Sequence, residues 1–551
     1  MYNFARTKKT LRILSVSCAL ACGLQANAAD ASHPSHVPFA NAKIPGNWAP
    51  NVLSPELIES PVAQGAMTIE NPTDLVGYYG YNTEPGIPML PEPGSIVEKH
   101  KTEPDKNAYL ILKGQKGPDA NYAYGKHFLF QGHESGLVGY LTRINLDADA
   151  KHRITLLAEK DINSNPLPTF DGITYYPFSR QLLLTAEGGR NGGVWQASLA
   201  DDPGPFTGSD VIDISGGLGR GGYEGIQADS WGQILIVEDV GGSKGSLNNF
   251  ARQPNSFVYR FIPNAPADLT KGGRLQALRV YNSKGQPIVF HAGQADADIL
   301  SDDTKEIRTY GLSLATEWVT IHDTKKDGNT PFDANAAAKS AGATPFKRPE
   351  NGLFRPGSNF SEFVFDETGD TDIRTQAGSA YGGFGSVFKL TMNPRGNEGR
   401  IQVVYLGDAA HAGFDNCAFW SKDEIVFVED AGDSLHAQRN ALDSGYLIDL
   451  NTDYSTGAQP VRILAEGRDP AATVDASLSG MAGFVNDGDN EITGIHVSNG
   501  DEGVDGLLGA KVPHPFDGRW RAFYTAQHGM NVTYEILPAV QNHGHDGRDR
   551  D

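Results

Sequence analysis

The chain has 551 residues, of which 39% are hydrophobic, and this composition indicates a globular protein with a sizeable core. Its 64 glycines and 32 prolines favour short strands joined by turns over long helices. The formal net charge is −21. Because a surface of that charge repels nucleic acids and anionic membranes, the composition argues against both as partners.

The first 28 residues have the organisation of a Sec-type signal peptide. Four basic residues between Arg6 and Arg12 precede an apolar stretch at 13–24, and residues 26–28 form a small-x-small cleavage site. The apolar stretch is too short to span a bilayer. We therefore expect a periplasmic or extracellular protein, and cleavage would take the net charge from −21 to −25.

The mature chain would keep a single cysteine, because Cys18 and Cys22 leave with the signal peptide. Cys417 then has no partner for an intramolecular disulfide, and we expect it to be a buried structural thiol. Stability must come from the core and from any bound metal.

Composition divides the rest of the chain into three segments. Residues 29–100 are rich in Pro, Asn and Ser and are expected to form an extended N-terminal segment. Across 101–540, short apolar stretches recur between Gly, Asp and Asn turns, which predicts one all-β domain with loop insertions. The charged residues 541–551 are expected to be a disordered tail.

Within the predicted domain, the apolar stretches are rich in β-branched and aromatic residues. The strands predicted on this basis include 109–112, 234–237, 258–261, 425–428 and 446–450. The clearest helical pattern covers 334–341, with Asp333 as an N-cap and Gly342 as a stop.

An internal repeat is the most informative feature of the sequence. Each copy has an acid, a small or polar residue, a turn, an apolar strand and a second acid. Four copies occur, with acid-to-acid separations of 16, 14, 16 and 14 residues: Asp171 to Glu187, Glu224 to Glu238, Glu350 to Asp366, and Asp415 to Glu429.

A repeated strand–turn–strand unit is what a blade of a β-propeller supplies. Equivalent positions of successive blades lie at equal distance from the axis, so the repeated acids would surround one central funnel. Such a ring of carboxylates is unfavourable unless hard cations neutralise it. The alternative is that each acid only caps a turn and faces solvent.

Seven stretches of the chain also carry recognisable motifs. They are 219–224 (GRGGYE), 237–239 (VED), 258–261 (VYRF), 341–350 (AGATPFKRPE), 380–385 (AYGGFG), 414–419 (FDNCAF) and 524–529 (YTAQHG). In this order they resemble the motifs of the PhoX family of bacterial alkaline phosphatases, over about residues 125–535. The segment 341–350 is similar to the family's long G-A-T-P-x-x-R-P-E signature.

The resemblance implies a secreted, calcium-dependent phosphomonoesterase with a β-propeller fold, which we expect to have six blades, and a mixed iron–calcium cluster. By the same resemblance, Asp239 is a ligand on the calcium side and Arg348 contacts the substrate. The implied metal ligands that are also repeated acids are Glu187, Glu224, Glu350 and Asp415.

The sequence departs from the family at two points. Where the family has a cysteine that ligates iron, this chain has Asp171 or its neighbours, and an oxygen ligand there favours several Ca²⁺ ions over Fe³⁺. The N-terminus also lacks the twin-arginine signal that many members carry, and reads as ordinary Sec export.

Further candidate residues are weighed against structural roles. Arg220, on a glycine-rich loop, could bind phosphate in bidentate fashion or be a solvated loop residue. His133 and Glu134 could lie near the site or only pack a turn. His528 could line the funnel or close the propeller.

Three functions remain open from the sequence. The first is hydrolysis of small phosphate monoesters by a monomeric protein with a calcium-centred carboxylate cluster. The second is hydrolysis of another ester or lactone by a calcium-bearing propeller, and the third is a non-catalytic calcium-stabilised surface protein. No phosphate-binding P-loop or zinc-type His/Cys cluster occurs in the sequence.

Overall fold

The computed structural model describes residues 31–42, 50–83, 101–199, 205–467, 491–528 and 531–539. The predicted signal peptide and the predicted tail lie outside these residues. No helix among the described residues is long and apolar enough to cross a membrane.

Four short strands in the N-terminal part of the chain pair with one another or with strands much later in the sequence. They are β1 (Val52–Leu53), β2 (Leu57–Ala63), β3 (Val76–Tyr78) and β4 (Tyr81–Asn82). β3 and β4 form a small two-stranded sheet of their own.

Two four-stranded antiparallel sheets follow, and in each of them the strands pair in chain order. The first contains β5 (Pro104–Ile111), β6 (His127–His133), β7 (Leu141–Asn145) and β8 (Ile154–Ala158). The second contains β9 (Ile173–Tyr176), β10 (Gln181–Ala186), β11 (Gly193–Ser198) and β12 (Val211–Asp213).

The next sheet has nine strands, because one long strand, β17, joins two four-stranded units. The first unit and the joining strand are β13 (Tyr223–Ala228), β14 (Ile234–Glu238), β15 (Val258–Pro263), β16 (Gly273–Val280) and β17 (Leu314–Asp323). The second unit is β18 (Gly352–Phe354), β19 (Glu362–Glu367), β20 (Ser386–Met392) and β21 (Glu398–Leu406). β17 pairs with β16 on one side and with β21 on the other.

The last two sheets each include an N-terminal strand. One contains β22 (Phe414–Phe419), β23 (Glu424–Glu429), β24 (Ser444–Asp449) and β25 (Val461–Ala465), with β1 against β25. The other contains β26 (Glu491–Ser498), β27 (Arg521–Gln527) and β28 (Val532–Pro538), with β2 against β28. The beginning and the end of the described chain are therefore held together in one sheet.

The first strand of each four-stranded unit contacts the first strand of the next unit, and β26 of the last unit contacts β5 of the first unit. Among the described residues, the strands in this closed ring are β5, β9, β13, β18, β22 and β26. The mostly-β fold with a propeller-like arrangement, predicted from the repeats, is confirmed.

The core lies between neighbouring sheets, which explains the continuous apolar runs in the sequence. In β14, Ile234 and Ile236 belong to one apolar cluster, while Leu235 and Val237 belong to the next. Alternate residues of a strand point to opposite faces, and here a neighbouring sheet covers each face. The predicted strands at 109–112, 234–237, 258–261, 425–428 and 446–450 each fall on an observed strand and extend at most one residue beyond it.

The described helices are short and lie in the connections. They are α1 (Ser215–Leu218), α2 (Ala295–Ile299), α3 (Asp302–Glu306), α4 (Thr324–Asp327), α5 (Ala334–Ser340) and α6 (Gly432–Arg439). The predicted helix at 334–341 is confirmed as α5, and the Asp333 carboxylate caps it by accepting a hydrogen bond from the Ala336 N–H at 2.8 Å.

Candidate metal centre

The first acids of the four repeats, together with Glu187, meet at one end of the strand ring. In each blade the beginning of the first strand lies beside the end of the second, because the two strands are antiparallel. Tyr223 pairs with Glu238, and Phe414 pairs with Glu429. The two acids of one repeat, which are 14–16 residues apart in the sequence, therefore lie close together in space.

Three overlapping groups of carboxylates form at this end, and in each group one oxygen from every member lies within 4.8 Å of the others. Glu187 and Glu350 each belong to two of the groups, so the three groups form one continuous set. We call this set the acid cluster; it consists of Glu134, Asp171, Glu187, Glu224, Asp239, Glu350 and Asp415. All six residues predicted as metal ligands belong to it.

Local irregularities of the first strands aim the acids inward. The pairing of β13 with β14 shifts between Tyr223 and Ile226, and that of β22 with β23 shifts between Phe414 and Cys417. Glu224 and Asp415 each fall within such a shift. A bulge of this kind bends the strand and redirects a side chain, which is why bulges occur beside active sites.

In two copies of the repeat a glycine follows the acid, and close packing between neighbouring strands explains why. A Cβ on Gly172 would lie 2.1 Å from the carbonyl oxygen of Glu224, and one on Gly225 would lie 2.9 Å from Cα of Asn351. The Gly225 N–H donates a hydrogen bond of 2.9 Å to the carbonyl oxygen of Glu350. Only glycine allows neighbouring first strands to approach this closely.

In the other two copies of the repeat the residue after the acid is asparagine. Nδ2 of Asn351 donates to Oε1 of Glu224 at 2.9 Å. Nδ2 of Asn416 lies 2.8 and 2.9 Å from the two carboxylate oxygens of Asp415. These amides orient the carboxylates of the cluster.

Burial and mutual repulsion both oppose ionisation of the acid cluster. Desolvation, followed by the neighbouring carboxylates, raises the pKa of Glu187 and Glu224 well above the usual range. Desolvation and the charges of Asp105 and Asp430 raise the pKa of Asp415 to about 8. The cluster cannot carry its full negative charge near neutral pH without added positive charge.

Several oxygens of the cluster lack partners. Oδ1 of Asp171, Oε1 of Glu187 and Oε2 of Glu224 are buried and accept no hydrogen bond from the part of the chain that the structure describes. Buried polar atoms are normally satisfied, so these oxygens fit a missing ligand. Carboxylate oxygens in this number are the donors that hard cations such as Ca²⁺ prefer. The residues present therefore fit a bound metal cluster.

Arg348 supplies positive charge at the edge of the acid cluster. Its Nε lies 2.9 Å from both carboxylate oxygens of Asp239, and its Nη2 lies 2.7 Å from Oδ2 of Asp239 and 3.2 Å from Oε1 of Glu350. The backbone of Arg348 is in the left-handed region, with φ of 59°, which is uncommon for a non-glycine residue and recurs at functional sites. Its side chain is 23% exposed.

Arg220, the other predicted catalytic residue, makes its contacts away from the acid cluster. Its guanidinium pairs with the Asp213 carboxylate and donates to the Gly192 carbonyl oxygen at 2.9 Å. It also lies over the ring of Trp195, 5.2 Å from the centroid. These contacts hold Arg220 against the second sheet.

His133 and His528, the two histidines considered from the sequence, lie outside the acid cluster, whereas Glu134 belongs to it. His133 is buried, stacks on Tyr140 and lies 2.9 Å from the Thr102 hydroxyl, as a packing residue would. Glu134 instead belongs to the acid cluster and accepts a hydrogen bond of 3.0 Å from Nε2 of Gln527. Nδ1 of His528 lies 3.1 Å from Oε1 of Glu103.

Sequence reasoning missed three acids near the cluster: Asp105, Asp430 and Glu491. Asp105 raises the pKa of Asp415, and Asp430 and Asp415 raise that of Glu491 after its desolvation. Asp105 and Glu491 open β5 and β26 much as Asp415 opens β22. Asp105 lies at the start of a strand, as Asp415 does, but the long connection between β5 and β6 changes the spacing to the next acid. The repeat is therefore hard to recognise in this part of the sequence.

Of the second acids of the repeat, Glu187 joins the acid cluster, whereas Glu238, Asp366 and Glu429 do not. Glu238 lies on the face opposite Asp239, where its carboxylate accepts hydrogen bonds from the Phe257 N–H and the Tyr259 hydroxyl. Glu429 likewise pairs with Arg439. The residue that joins the acid cluster is Asp239, one position beyond Glu238.

Cys417 lies outside the three carboxylate groups. It is buried in an apolar cluster with Phe414 and Phe427, and desolvation raises the pKa of its thiol. The thiol is thus packed as the sequence predicts.

Comparison with known proteins agrees with this picture. The sequence model of the family described as "Alkaline phosphatase PhoX" matches residues 252–499. The predicted resemblance to the PhoX family is confirmed over these residues. No curated protein matches the sequence.

Solved structures support the fold. PhoX of Pseudomonas fluorescens, solved with vanadate, a transition-state analogue, is 10% identical, with a TM-score of 0.53 over 92% of this chain and 98% of that one. At this identity, the likeness shows a shared fold alone.

Two further solved structures are more distant. A Lactobacillus plantarum protein is 9% identical over 74% of this chain and 98% of its own, with a TM-score of 0.29. A Trichoderma reesei carbohydrate-active enzyme of family AA12 is 10% identical over 90% of this chain and 100% of its own, with a TM-score of 0.30. These TM-scores are too low to support a common fold.

Proposed function

We propose that this protein is a metal-dependent phosphatase that hydrolyses small phosphate monoesters outside the cytoplasm. The observation that carries the proposal is the acid cluster with Arg348 at its edge, found in a chain related to PhoX phosphatases. The vanadate complex of the Pseudomonas protein supports the same reaction class. The extracytoplasmic location rests on the sequence of the N-terminus.

The acid cluster is the proposed metal site. The proposed ligands are Glu134, Asp171, Glu187, Glu224, Asp239, Glu350 and Asp415, and Ca²⁺ is the proposed ion because every donor is a carboxylate oxygen. When bound, such ions neutralise the charge that develops on a transferring phosphoryl group. The chain itself contributes the fixed positions of the carboxylates, through the strand irregularities and the amides of Asn351 and Asn416.

Arg348 is the proposed phosphate-binding residue. It lines a surface cavity of about 540 Å³ that also includes Asp239, so its guanidinium is reachable from solvent. A planar guanidinium can bind two phosphate oxygens at once, and Asp239 and Glu350 hold it in position for this. We expect substrate to enter through this cavity with its phosphate next to Arg348.

The test is hydrolysis of 4-nitrophenyl phosphate by purified protein of known metal content. We expect turnover that excess EDTA abolishes, a lower melting temperature after EDTA, and recovery of both on addition of calcium. Inorganic phosphate should inhibit, since it would occupy the same site.

Two outcomes would contradict the proposal. Full activity in excess EDTA would remove the role of the metal cluster. Hydrolysis of a lactone or carboxylic ester panel with no turnover of phosphate esters would favour the second function left open by the sequence. Arg348→Ala, compared with wild type, should lose turnover and keep the fold.

A further inference from the structure

The cavity that reaches Arg348 carries two additional positive residues on a loop between β14 and β15. Lys244 and Arg252 both line the cavity, and the two residues form an antiparallel β-bridge. Residues paired in this way place their side chains on the same face, about 5 Å apart at Cβ. Lys244 and Arg252 are both exposed to solvent.

Two like charges placed directly opposite each other destabilise a strand pair. Asp296 nevertheless holds the loop in this arrangement. Its carboxylate accepts hydrogen bonds of 2.9 Å from the N–H groups of Ser246 and Leu247 and of 3.0 Å from that of Asn248. The structure thus fixes an unfavourable pair of positive charges in place.

The carboxylates of the same cavity are already neutralised by other residues. Asp239 pairs with Arg348, as described above. Asp370 pairs with the buried Lys347 at 2.7 Å, and Asp372 pairs with Arg374 at 2.6 Å.

Within the described residues, no carboxylate lies within ion-pair distance of Lys244 or Arg252. The guanidinium of Arg252 instead contacts the Gly242 carbonyl oxygen at 3.3 Å. Among the described residues these two cations therefore have no acidic side-chain partner, although the Asp296 carboxylate lies against the backbone of the same loop and Asp370 accepts a hydrogen bond of 2.9 Å from the Arg252 N–H.

We propose that Lys244 and Arg252 bind a second anionic group of the substrate, and that the preferred substrates are phosphate esters whose alcohol part carries a carboxylate or a further phosphate. This inference rests on the proposed phosphatase function. An anion between the two side chains would relieve their repulsion while the phosphate lies at Arg348 in the same cavity. Because both cations are exposed, the preference should weaken as salt is added.

The experiment compares kcat/KM for phenyl phosphate with that for 4-carboxyphenyl phosphate. The readout is the ratio of the two values, which separates recognition of the leaving group from recognition of the phosphate. We expect the ratio, carboxylated ester over phenyl phosphate, to be roughly tenfold higher for wild type than for the Lys244→Gln/Arg252→Gln double variant, since exposed ion pairs contribute modestly.

A matched control keeps the change in net charge the same. Lys284 and Arg395 are exposed residues in turns outside the cavity, and the Lys284→Gln/Arg395→Gln variant should keep the wild-type ratio. The charge-preserving Lys244→Arg/Arg252→Lys variant should also keep most of it. Circular dichroism and melting temperature show that each variant is folded.

The outcomes separate this inference from the proposed function. Hydrolysis of both esters with an unchanged ratio in the double variant would overturn the second anion site and leave the phosphatase intact. An equal fall of the ratio in the control variant would attribute the effect to net charge and overturn it as well. No hydrolysis of either ester by metal-loaded wild type would overturn the proposed function itself.

Discussion

Two sets of buried charges meet at the consecutive residues Lys347 and Arg348, and they are built in opposite ways. On the Lys347 side, Arg308 pairs with Glu367 and Lys347 pairs with Asp370, with every one of these side chains at most 2% exposed. We call these four residues the paired region. On the Arg348 side lies the acid cluster, with seven carboxylates.

The difference shows what each set needs. In the paired region each charge has a partner of opposite sign at hydrogen-bond distance, so the chain satisfies itself. In the acid cluster, carboxylates repel one another, their pKa values are raised, and several oxygens have no partner among the described residues. Balanced buried charges serve the fold, whereas unbalanced ones depend on an added cation.

The largest expected effect comes from breaking the paired region. Arg308→Met leaves the Glu367 carboxylate buried without its guanidinium, which should lower the free energy of unfolding by about 3–5 kcal/mol. Urea denaturation measures this, and the loss should be the same with and without metal. As a control, Lys271→Met breaks the exposed pair with Asp268 and should leave the free energy of unfolding almost unchanged.

Removing a charge from the acid cluster should not destabilise the metal-free protein, in contrast to removing one from the paired region. Glu350→Gln removes one charge from two of the three carboxylate groups, so we expect activity and bound metal to fall by about 100-fold, the upper end of the loss seen when metal sites are perturbed. The metal-free variant should be at least as stable as metal-free wild type, because repulsion is reduced. Glu362→Gln, which removes a charge paired with Arg355, should leave metal content unchanged. A metal-free variant that unfolds more easily would contradict the contrast between the two regions.

A smaller and graded effect is expected from pH. The pKa values of Glu187, Glu224 and Glu350 are raised in the folded state, so the unfolded chain releases protons first as pH rises. Stability of the metal-free protein should therefore be highest near the unfolded pKa of about 4 and should decrease through about 8, the pKa of Asp415.

The slope should be about 1.4 kcal/mol per pH unit, which corresponds to one net proton released by the coupled cluster on unfolding. Denaturation of EDTA-treated protein between pH 5 and 8 measures it. With saturating calcium the slope should reverse or vanish, because the ligands bind the ion in their ionised form. A metal-free protein that becomes more stable over this range would be inconsistent with an unbalanced cluster.

The smallest effect is expected at Cys417, which lies close to Asp415 in the sequence and outside both sets of charges. Cys417→Ala opens a gap of about one sulfur atom in an apolar cluster and should cost about 1 kcal/mol. Metal content and kcat/KM should stay at wild-type values. A loss of metal would show that the thiol contributes to the site after all.

Much of this architecture could be predicted from the sequence because it is locally encoded. Apolar runs of four or five residues between turns located strands such as β14 and β23, and Asp333 with Gly342 bounded α5. The first acid of each repeat was recognisable because it precedes a glycine or an asparagine, and those residues have packing and orienting roles at the strand ring.

Other features depend on contacts between distant parts of the chain. The repeat pattern alone points to Glu238, whereas the family resemblance points to Asp239. Asp239 is the residue that joins the acid cluster, because only the packed sheet decides which of the two looks inward. Glu134 enters the cluster from a blade whose long connection hides the repeat. Arg220, which its glycine-rich loop made a candidate phosphate contact, is held by Asp213 and Trp195 instead.

The sequence by itself thus determined the strands, the repeated acids and the need for a cation, because periodicity, spacing and charge are properties of the chain. Tertiary structure decided which acids share one site, which arginine joins them, and how Lys244 comes to face Arg252. The physical reason is that burial and mutual repulsion arise only when the blades close into a ring, and no stretch of sequence carries that closure alone.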